Sequence, residues 1–248
     1  MKHLFYALLA ALLPTTANAG EAVTYSSNGA EYEGYRASAS GQSKGLVLII
    51  HDWDGLTEYE VNRAEMLAKK GYDAFAVDLY GKGNRPVETG AKKAETGKLY
   101  NDRDKMRSLI LAGLTEARKK AKSKAVVMGY CFGGMCVLEL ARAGSDALGV
   151  ISIHGIFSPG DVPNESITSK ILCLHGQDDP MVPPEQVLDF ENEMSSAGAD
   201  WQVHAYGGTM HAFTNPAAND PGFGTVYNPV ADKRASQSIE NFFNEVFA

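Results

Sequence analysis

The sequence predicts an α/β protein with a doubly wound, mostly parallel sheet in a single domain. Short apolar runs alternate with longer segments of helical periodicity along nearly all of the 248 residues, which is typical of repeated βα units. Most apolar runs lack polar alternation, as expected of strands that are buried on both faces. No internal repeat, low-complexity tract or linker divides the chain, so we assign one domain to residues 20–248.

The first residues have the pattern of a secretory signal peptide. A basic start, Met1–His3, precedes the apolar run Leu4–Leu13, and Ala17–Ala19 then supplies a small-x-small cleavage site. The apolar run is too short to span a bilayer. We therefore expect residues 1–19 to be removed and the mature chain to be periplasmic or secreted, with no membrane association; an uncleaved anchor is the alternative.

Composition excludes several classes of partner and scaffold. The net charge of −7 and the pI near 5.4 argue against a nucleic-acid partner, which requires a basic face. Three cysteines are too few for a disulfide framework. Cys136 and Cys173 are interpreted as small buried hydrophobes, which leaves Cys131 as a free thiol that needs an explanation.

The strands are predicted from their apolar patterns. Residues 21–37 alternate polar and apolar side chains around three tyrosines and glycine breaks, which predicts an antiparallel hairpin at the sheet edge. The other predicted strands are Gly45–Ile50, Ala74–Asp78, Lys124–Met128, Leu148–Ile153, Ile171–Leu174 and Trp201–Tyr206.

The helices follow from 3.6-residue periodicity between these strands. They are predicted at Glu58–Lys70, in two segments within 86–122, and at Met135–Arg142, Pro184–Ala197 and Ala235–Phe247. Residues 214–232 are rich in Asn, Pro, Gly and Ala and are predicted to form a long loop. Loops of this length are often functional.

The segment Gly129–Gly134 connects a predicted strand directly to a predicted helix. Its Gly-Tyr-Cys-Phe-Gly-Gly sequence matches a nucleophile elbow, in which flanking glycines allow a sharp turn that exposes the central side chain. Serine is usual at this position, whereas this chain has Cys131. A plain turn with a buried cysteine is the alternative.

Two later strands are followed by residues that could activate the thiol. Asp179 and His211 each lie in a loop just past a predicted strand, and the carboxyl ends of parallel strands meet at one edge of the sheet. The order Cys, Asp, His is that of the α/β-hydrolase triad. An imidazole can accept the thiol proton, and a carboxylate can orient that imidazole.

Other residues compete for these roles. Asp178 precedes Asp179, but only Asp179 fits the Gly-x-x-Asp-x-x-Val spacing between Gly176 and Val182. Three more histidines also lie at predicted strand ends, and we interpret them as hydrogen-bonded residues at the top edge of the sheet: His51, His154 and His175.

With these motifs in place, the chain resembles the dienelactone hydrolase family over nearly its whole mature length. The segments that carry the resemblance are His51–Leu56, Val77–Gly81, Gly129–Gly134, His175–Pro183 and His211–Phe213. The resemblance implies an α/β-hydrolase fold and hydrolysis of small carboxylic esters or lactones through an acyl-cysteine, with no metal and no cofactor.

The resemblance also implies roles for individual residues. Cys131 is the nucleophile, His211 the base and Asp179 the acid that orients it. The backbone N–H groups of Trp53 and Phe132 form the oxyanion hole. Two such donors stabilise the developing oxyanion by several kcal/mol.

Departures from the family pattern concern the substrate. A glutamate that holds the resting cysteine is replaced by Asp52, which supports Cys131 or caps its own loop. Two arginines that bind a substrate carboxylate are replaced by Lys82 and Asn215. Because a lysine and an amide do not reproduce a bidentate arginine clamp, an anionic lactone is not favoured, although Lys82 could still attract an anion.

Aromatic residues near the predicted base are candidates for the acyl pocket. Phe213, Phe223 and Tyr227 lie beside or within the 214–232 loop, where they line the pocket or fix the loop to the surface. Two other functions remain alternatives: a thiol redox sensor centred on Cys131, and a non-catalytic binding protein on the same fold. The sequence does not set the oligomeric state.

Overall fold

The computed structural model describes residues 20–121, 124–160 and 167–248. The predicted signal peptide, residues 1–19, lies outside the described residues. The strands are β1 Glu21–Ser27, β2 Ala30–Ala37, β3 Leu46–Ile50, β4 Asp73–Val77, β5 Ala125–Tyr130, β6 Gly149–Ile153, β7 Lys170–Gly176, β8 Trp201–Tyr206, β9 Asn219–Asp220 and β10 Thr225–Val226. The helices are α1 Glu58–Lys69, α2 Thr89–Tyr100, α3 Arg103–Arg118, α4 Phe132–Arg142, α5 Pro184–Ser196 and α6 Pro229–Val246.

Eight strands form one sheet in the order β1-β2-β4-β3-β5-β6-β7-β8. Strands β1 and β2 form an antiparallel hairpin at one edge, and β2 pairs antiparallel with β4. All pairings from β4 across to β8 are parallel. The predicted fold class and the predicted edge hairpin are therefore confirmed.

The helices cover both faces of this sheet. Alternate residues of each strand point to opposite faces, so Leu48 and Ile50 pack in the core beneath α2–α5, whereas Val47 and Ile49 pack beneath α1 and α6. Burial on both faces explains why β3 reads as a continuous apolar run.

Several element boundaries differ from prediction, among them those of α6 and β7. Helix α6 begins at Pro229 rather than at residue 235, because the Asn228 side chain accepts hydrogen bonds from two backbone N–H groups of the first turn and Pro229 takes the N1 position. Strand β7 continues to Gly176 because it pairs with β8 as far as Tyr206. Because α6 begins earlier, the loop predicted at residues 214–232 is shorter. This loop contains the small β9–β10 hairpin.

Within residues 20–121, 124–160 and 167–248, no helix is both long enough and apolar enough to cross a bilayer.

Candidate active site

Cys131 sits at a sharp turn between β5 and α4. Its backbone has φ 51° and ψ −110°, a conformation that is rare for a residue with a side chain. The turn is possible because two glycines pack without side chains: a Cβ on Gly129 would lie 2.2 Å from the Gly133 backbone, and a Cβ on Gly133 would lie 2.4 Å from the Ile50 carbonyl oxygen. This is the geometry of a nucleophile elbow.

Asp179 and His211 meet at the same edge of the sheet. The Asp179 Oδ2 atom lies 2.6 Å from His211 Nδ1, and both residues are almost fully buried. The other carboxylate oxygen, Oδ1, accepts the backbone N–H of Met181 at 2.8 Å. Asp178 is exposed, so the structure brings Asp179 to the histidine. The hydrogen bond holds the imidazole with Nε2 free to exchange a proton.

The thiol of Cys131 is directed to Asp52 in this structure. The sulfur lies beside the Asp52 carboxylate and the backbone N–H of Phe132, and both groups act on the pKa of the thiol. The Nε2 atom of His211 is buried and has no hydrogen-bond partner among the described residues. The side chains of Cys131, His211 and Asp52 line one cavity, so the thiol and the base face the same space.

The environment of the sulfur favours the neutral thiol. Burial, followed by the negative charge of Asp52, raises the pKa of the Cys131 thiol well above its ordinary value. Burial also raises the pKa of the Asp52 carboxyl group, with Asp54 as the next cause. The environment of the resting site therefore favours the protonated form of the Cys131 thiol.

The two predicted oxyanion donors both lie beside these groups. The Trp53 N–H donates to Asp52 Oδ1 at 2.5 Å, and the Phe132 N–H lies next to the sulfur and acts to lower the pKa of the thiol. Asp52 thus contacts both the nucleophile and one predicted donor, as a supporting residue does. The capping box of α1 is formed by Thr57 and Glu60 and does not include Asp52.

A buried series of hydrogen-bonded polar groups contacts the backbone of the elbow. The Cys131 N–H is shared between the Ile153 carbonyl oxygen at 2.9 Å and His154 Nδ1 at 3.1 Å. His154 Nε2 lies 3.0 Å from the Thr214 hydroxyl, which lies 2.8 Å from the Tyr59 hydroxyl. Because Nδ1 accepts, the ring proton is on Nε2 and is donated to Thr214.

His154 is neutral in this position. Burial, followed by the neighbouring His211, lowers its pKa well below the ordinary value. Its backbone has a positive φ of 40°, which marks a second constrained residue beside the elbow. The sequence predicted His154 at a strand end but did not indicate its contact with Cys131. That contact joins two residues that follow different strands, β5 and β6.

The remaining histidines at strand ends have other environments. His51 is fully buried; its Nδ1 lies 2.6 Å from the Asp52 carbonyl oxygen and its Nε2 accepts the Leu79 N–H. Both nitrogens are therefore used, as predicted. His175 is also buried, but its Nδ1 has no partner among the described residues, so the expected hydrogen bonding is incomplete there.

The cavity above Cys131 has a volume of about 460 Å³ and is of the size that holds small organic ligands. Its wall is largely apolar, with Phe132, Met135, Ile156, Met181 and Phe223 among the lining residues. Asn215 also lines it, consistent with the predicted position beside the substrate. Its side-chain oxygen accepts the Ala217 N–H at 2.9 Å.

The mouth of this cavity carries aromatic rings and lysines. The rings of Trp53 and Phe223 stack with centroids 5.7 Å apart. Lys92 lies over Trp53 and Lys93 lies over Phe223, both from α2. The sequence did not single out these lysines, since their helix looked like an ordinary solvated surface.

The β9–β10 hairpin that carries Phe223 is attached to the predicted base. The His211 N–H donates to the Gly224 carbonyl oxygen at 3.0 Å, and the His211 carbonyl oxygen accepts the Val226 N–H at 3.1 Å. These bonds form an isolated bridge with Thr225. The hairpin therefore fixes the backbone of His211 as well as covering the cavity mouth.

Two predicted substrate contacts need correction. Lys82 does not line the cavity; its ammonium group lies 3.8 Å from the Glu31 carboxylate at the edge hairpin. Phe213 is fully buried and packs against His154 and Tyr206 behind the site. Lys82 belongs to the turn after β4, which is directed to β2, and Phe213 points into the core beneath α6.

Among the described residues, no group of three or more His, Cys, Asp or Glu side chains is arranged to hold a metal ion.

Comparison with known proteins places this geometry in a family. A sequence model of the dienelactone hydrolase family matches residues 32–247. The chain belongs to the dienelactone hydrolase family. It is accordingly a hydrolase of the ester and lactone type.

The chain is also similar to individual proteins and to solved structures. An uncharacterised protein of Caenorhabditis elegans is 34% identical over 51% of this chain and 83% of its own length. A putative carboxymethylenebutenolidase of Saccharolobus solfataricus is 23% identical over 90% of this chain and 98% of its own length. The crystal structure of a dienelactone hydrolase-like promiscuous phosphotriesterase from metagenomic libraries is 28% identical, with a TM-score of 0.87 over 92% of this chain and 98% of its own.

Proposed function

We propose that the protein hydrolyses small carboxylic esters or lactones through a Cys131–His211–Asp179 triad and an acyl-cysteine intermediate. The observation that carries the proposal is the convergence of three elements at one cavity: the elbow thiol, the imidazole oriented by Asp179, and two backbone donors beside the sulfur. Thiol, base and orienting acid together are the requirements of nucleophilic catalysis.

Substrate binding has to rearrange the resting site. The sulfur leaves Asp52 and turns toward His211 Nε2, which has no other partner among the described residues. The carbonyl oxygen of the substrate replaces Asp52 as the acceptor of the Trp53 N–H and replaces the sulfur as the acceptor of the Phe132 N–H. The chain thereby keeps its thiol neutral until a substrate supplies these contacts.

The reaction then proceeds in two halves. The Cys131 proton passes to His211 Nε2, the thiolate attacks the carbonyl carbon, and the oxyanion accepts the Trp53 and Phe132 N–H groups. Collapse breaks the bond to the alkoxide, which takes the proton from His211. A water molecule that gives its proton to His211 next attacks the thioester, releases the carboxylic acid and restores the thiol.

The lining of the cavity indicates the kind of substrate. Its wall is mainly apolar, with Lys92 and Lys93 at its mouth. Neither Lys82 nor a pair of arginines is among the described residues that line it. We therefore expect neutral acyl groups of small to medium size to be accepted best. Asn215 and the rings of Phe223 and Trp53 contact such an acyl group in this proposal.

The test is turnover of short nitrophenyl esters and unsaturated lactones by wild type and variants. A phosphotriester belongs in the panel because a structural neighbour is described as a promiscuous phosphotriesterase. Cys131→Ala should lower kcat by at least about a thousandfold, whereas Cys131→Ser should retain some turnover. Cys173→Ala, at another buried free cysteine, is the matched control. Full activity in Cys131→Ala would refute the nucleophile assignment.

Two further measurements separate the alternatives. Rapid quenching followed by mass spectrometry should find the acyl group on the peptide that contains Cys131. A thiol redox sensor would show no ester turnover and an oxidised or mixed-disulfide Cys131 in the isolated protein. A non-catalytic binding protein would show no burst of nitrophenol and no acyl adduct.

We also propose that residues 1–19 direct export and are removed. The support is the basic, apolar and small-x-small sequence pattern alone. Expression in a Gram-negative host, with fractionation and N-terminal sequencing, should yield a periplasmic chain that begins at Gly20. A cytosolic chain that retains Met1 would contradict the proposal.

A further inference from the structure

A second cavity, of about 270 Å³, lies on the face of the sheet covered by α1 and α6. It is separate from the cavity above Cys131, because the two share no lining residue. Its wall comes mainly from α1, α6 and the strand β5 that leads into the elbow. The residues that line it are Lys44, Arg63, Met66, Leu67, Lys70, Tyr72, Met128, Tyr130, Ser236, Ile239, Glu240, Phe243 and Asn244.

Tyr130 provides a polar group at the buried end of this cavity. The residue is only 3% exposed, and its hydroxyl makes no hydrogen bond with any residue that the structure describes, although the side chain lines the cavity. Burial raises the pKa of this phenol above its ordinary value, so the hydroxyl is a neutral donor. Because this hydroxyl lines the cavity and has no partner among the described residues, it is available as a donor to an acceptor inside the cavity.

Arg63 places a positive charge beside that hydroxyl. Its guanidinium lies over the Tyr130 ring, 5.6 Å from the centroid. Only Nη2 is engaged by described residues, with the Tyr59 hydroxyl and the Thr214 carbonyl oxygen each at 2.9 Å and with the Asp232 carboxylate at 3.8 Å. The Nε and Nη1 donors therefore remain for another acceptor.

The rest of the cavity combines positive charge with an apolar wall. Lys44 and Lys70 add two ammonium groups, and one acid, Glu240, lies 3.3 Å from Lys70. The opposite lining is aliphatic and aromatic, with Leu67, Met128, Ile239 and Phe243 among its residues. An occupant that satisfies both parts has one negative charge and a compact apolar body.

We propose that this cavity binds a small organic carboxylate with an apolar body. The carboxylate accepts hydrogen bonds from the Tyr130 hydroxyl and the Arg63 guanidinium, a donor pair suited to an anion. The apolar body lies against Leu67 and Phe243. The site does not depend on the triad proposed above, although the occupant belongs to the same chemical class as the acids that ester hydrolysis releases.

The position of the site connects it to the elbow. Arg63 also donates to Thr214, whose hydroxyl contacts His154, and His154 accepts the N–H of Cys131. Tyr130 itself directly precedes Cys131 in the chain. An occupant that engages Arg63 and Tyr130 therefore touches two groups that hold the elbow in place.

Calorimetric titration of the intact protein with benzoate tests the proposal, with benzyl alcohol as a neutral probe of the same size. Benzoate should bind and benzyl alcohol should bind at least tenfold more weakly. Tyr130→Phe should weaken benzoate binding about tenfold, as expected when one hydrogen bond to a charged acceptor is lost. Tyr32→Phe is the matched control, since Tyr32 is also buried and lies outside both cavities.

A second variant and a crystal structure fix the location. Ser236→Trp, on α6 at the cavity wall, should abolish binding by filling the space while leaving the elbow untouched. A crystal soaked with benzoate should show it against Arg63 and Tyr130. Unchanged affinity in both variants, equal binding of benzyl alcohol, or benzoate found only beside Cys131 would overturn the proposal. Because no turnover is measured, these outcomes are independent of the triad.

Discussion

The contact between Asp52 and the Cys131 thiol predicts how the nucleophile responds when that carboxylate is neutralised. The negative charge of Asp52 is, after burial, the largest cause of the raised thiol pKa. Asp52→Asn removes the charge and keeps an Oδ1 acceptor for the Trp53 N–H. We therefore expect the thiol pKa to fall and the rate of alkylation by iodoacetamide at neutral pH to rise.

The magnitude follows from electrostatics. Two unit charges about 4 Å apart, the reach of a sulfur hydrogen bond, repel by about 4 kcal/mol at an effective dielectric constant of about 20. That energy corresponds to about a thousandfold more thiolate at a pH below the thiol pKa. A thiolate of lower pKa is a weaker nucleophile, with a Brønsted slope of about 0.45, so the net gain in alkylation rate is about 10- to 50-fold.

The assay reports on Cys131 alone, because Cys136 and Cys173 are fully buried. Alkylation is followed by mass spectrometry across a pH series, and the midpoint should move to lower pH in Asp52→Asn. Asp178→Asn, which removes an exposed charge next to Asp179, should leave the rate within about twofold of wild type. An unchanged rate in Asp52→Asn would refute the electrostatic reasoning, and a slower rate would show that Asp52 instead accepts the thiol proton.

Three further predictions concern stability and substrate access. Gly133→Ala should destabilise the fold by about 1–3 kcal/mol or more in urea unfolding, because its Cβ would lie 2.4 Å from the Ile50 carbonyl oxygen. The control Gly97→Ala, in a helix with open space around it, should be neutral or stabilising by up to about 1 kcal/mol. Equal losses of stability in the two variants would contradict the packing argument. His154→Leu should lower the free energy of unfolding by about 1–3 kcal/mol, because it leaves the Thr214 hydroxyl without its donor. His154→Gln should recover part of this loss. Identical unfolding midpoints for the two variants would exclude the hydrogen bond as the cause. Phe223→Ala should raise KM for aromatic esters by about 2- to 10-fold, which is the value of one aromatic stack, with kcat nearly unchanged. The control Val87→Ala, at a residue 81% exposed, should leave both KM and kcat as they are. A fall in kcat alone would place Phe223 in the chemical step.

Much of the candidate site could be predicted because strand ends in a parallel sheet converge. Periodicity marked β3, β5, β7 and β8 as strands, and the residues that follow or end them were therefore expected at one edge. The spacing from Gly176 also favoured Asp179 over Asp178, and the structure brings Asp179 to His211. Local pattern and chain order carry this information without any knowledge of side-chain positions.

Other features depend on contacts between distant residues. Lys82 follows the Asp-Leu-Tyr segment in the expected place, yet its turn is directed to Glu31. Phe213 is two residues from His211 but is fully buried in the core. Neither outcome is encoded in local sequence, since each depends on how a loop packs against another element.

Periodicity, glycine positions and motif spacing along the chain predicted the order of strands and helices, the elbow and the chain order of Cys131, Asp179 and His211. The folded arrangement sets the state of the site: the thiol lies beside Asp52, the Trp53 N–H is bonded to Asp52, and His211 Nε2 has no partner among the described residues. This state does not follow from the sequence, because side-chain rotation and burial depend on neighbours brought together from separate loops. Those neighbours set which hydrogen bond each group makes before a substrate arrives.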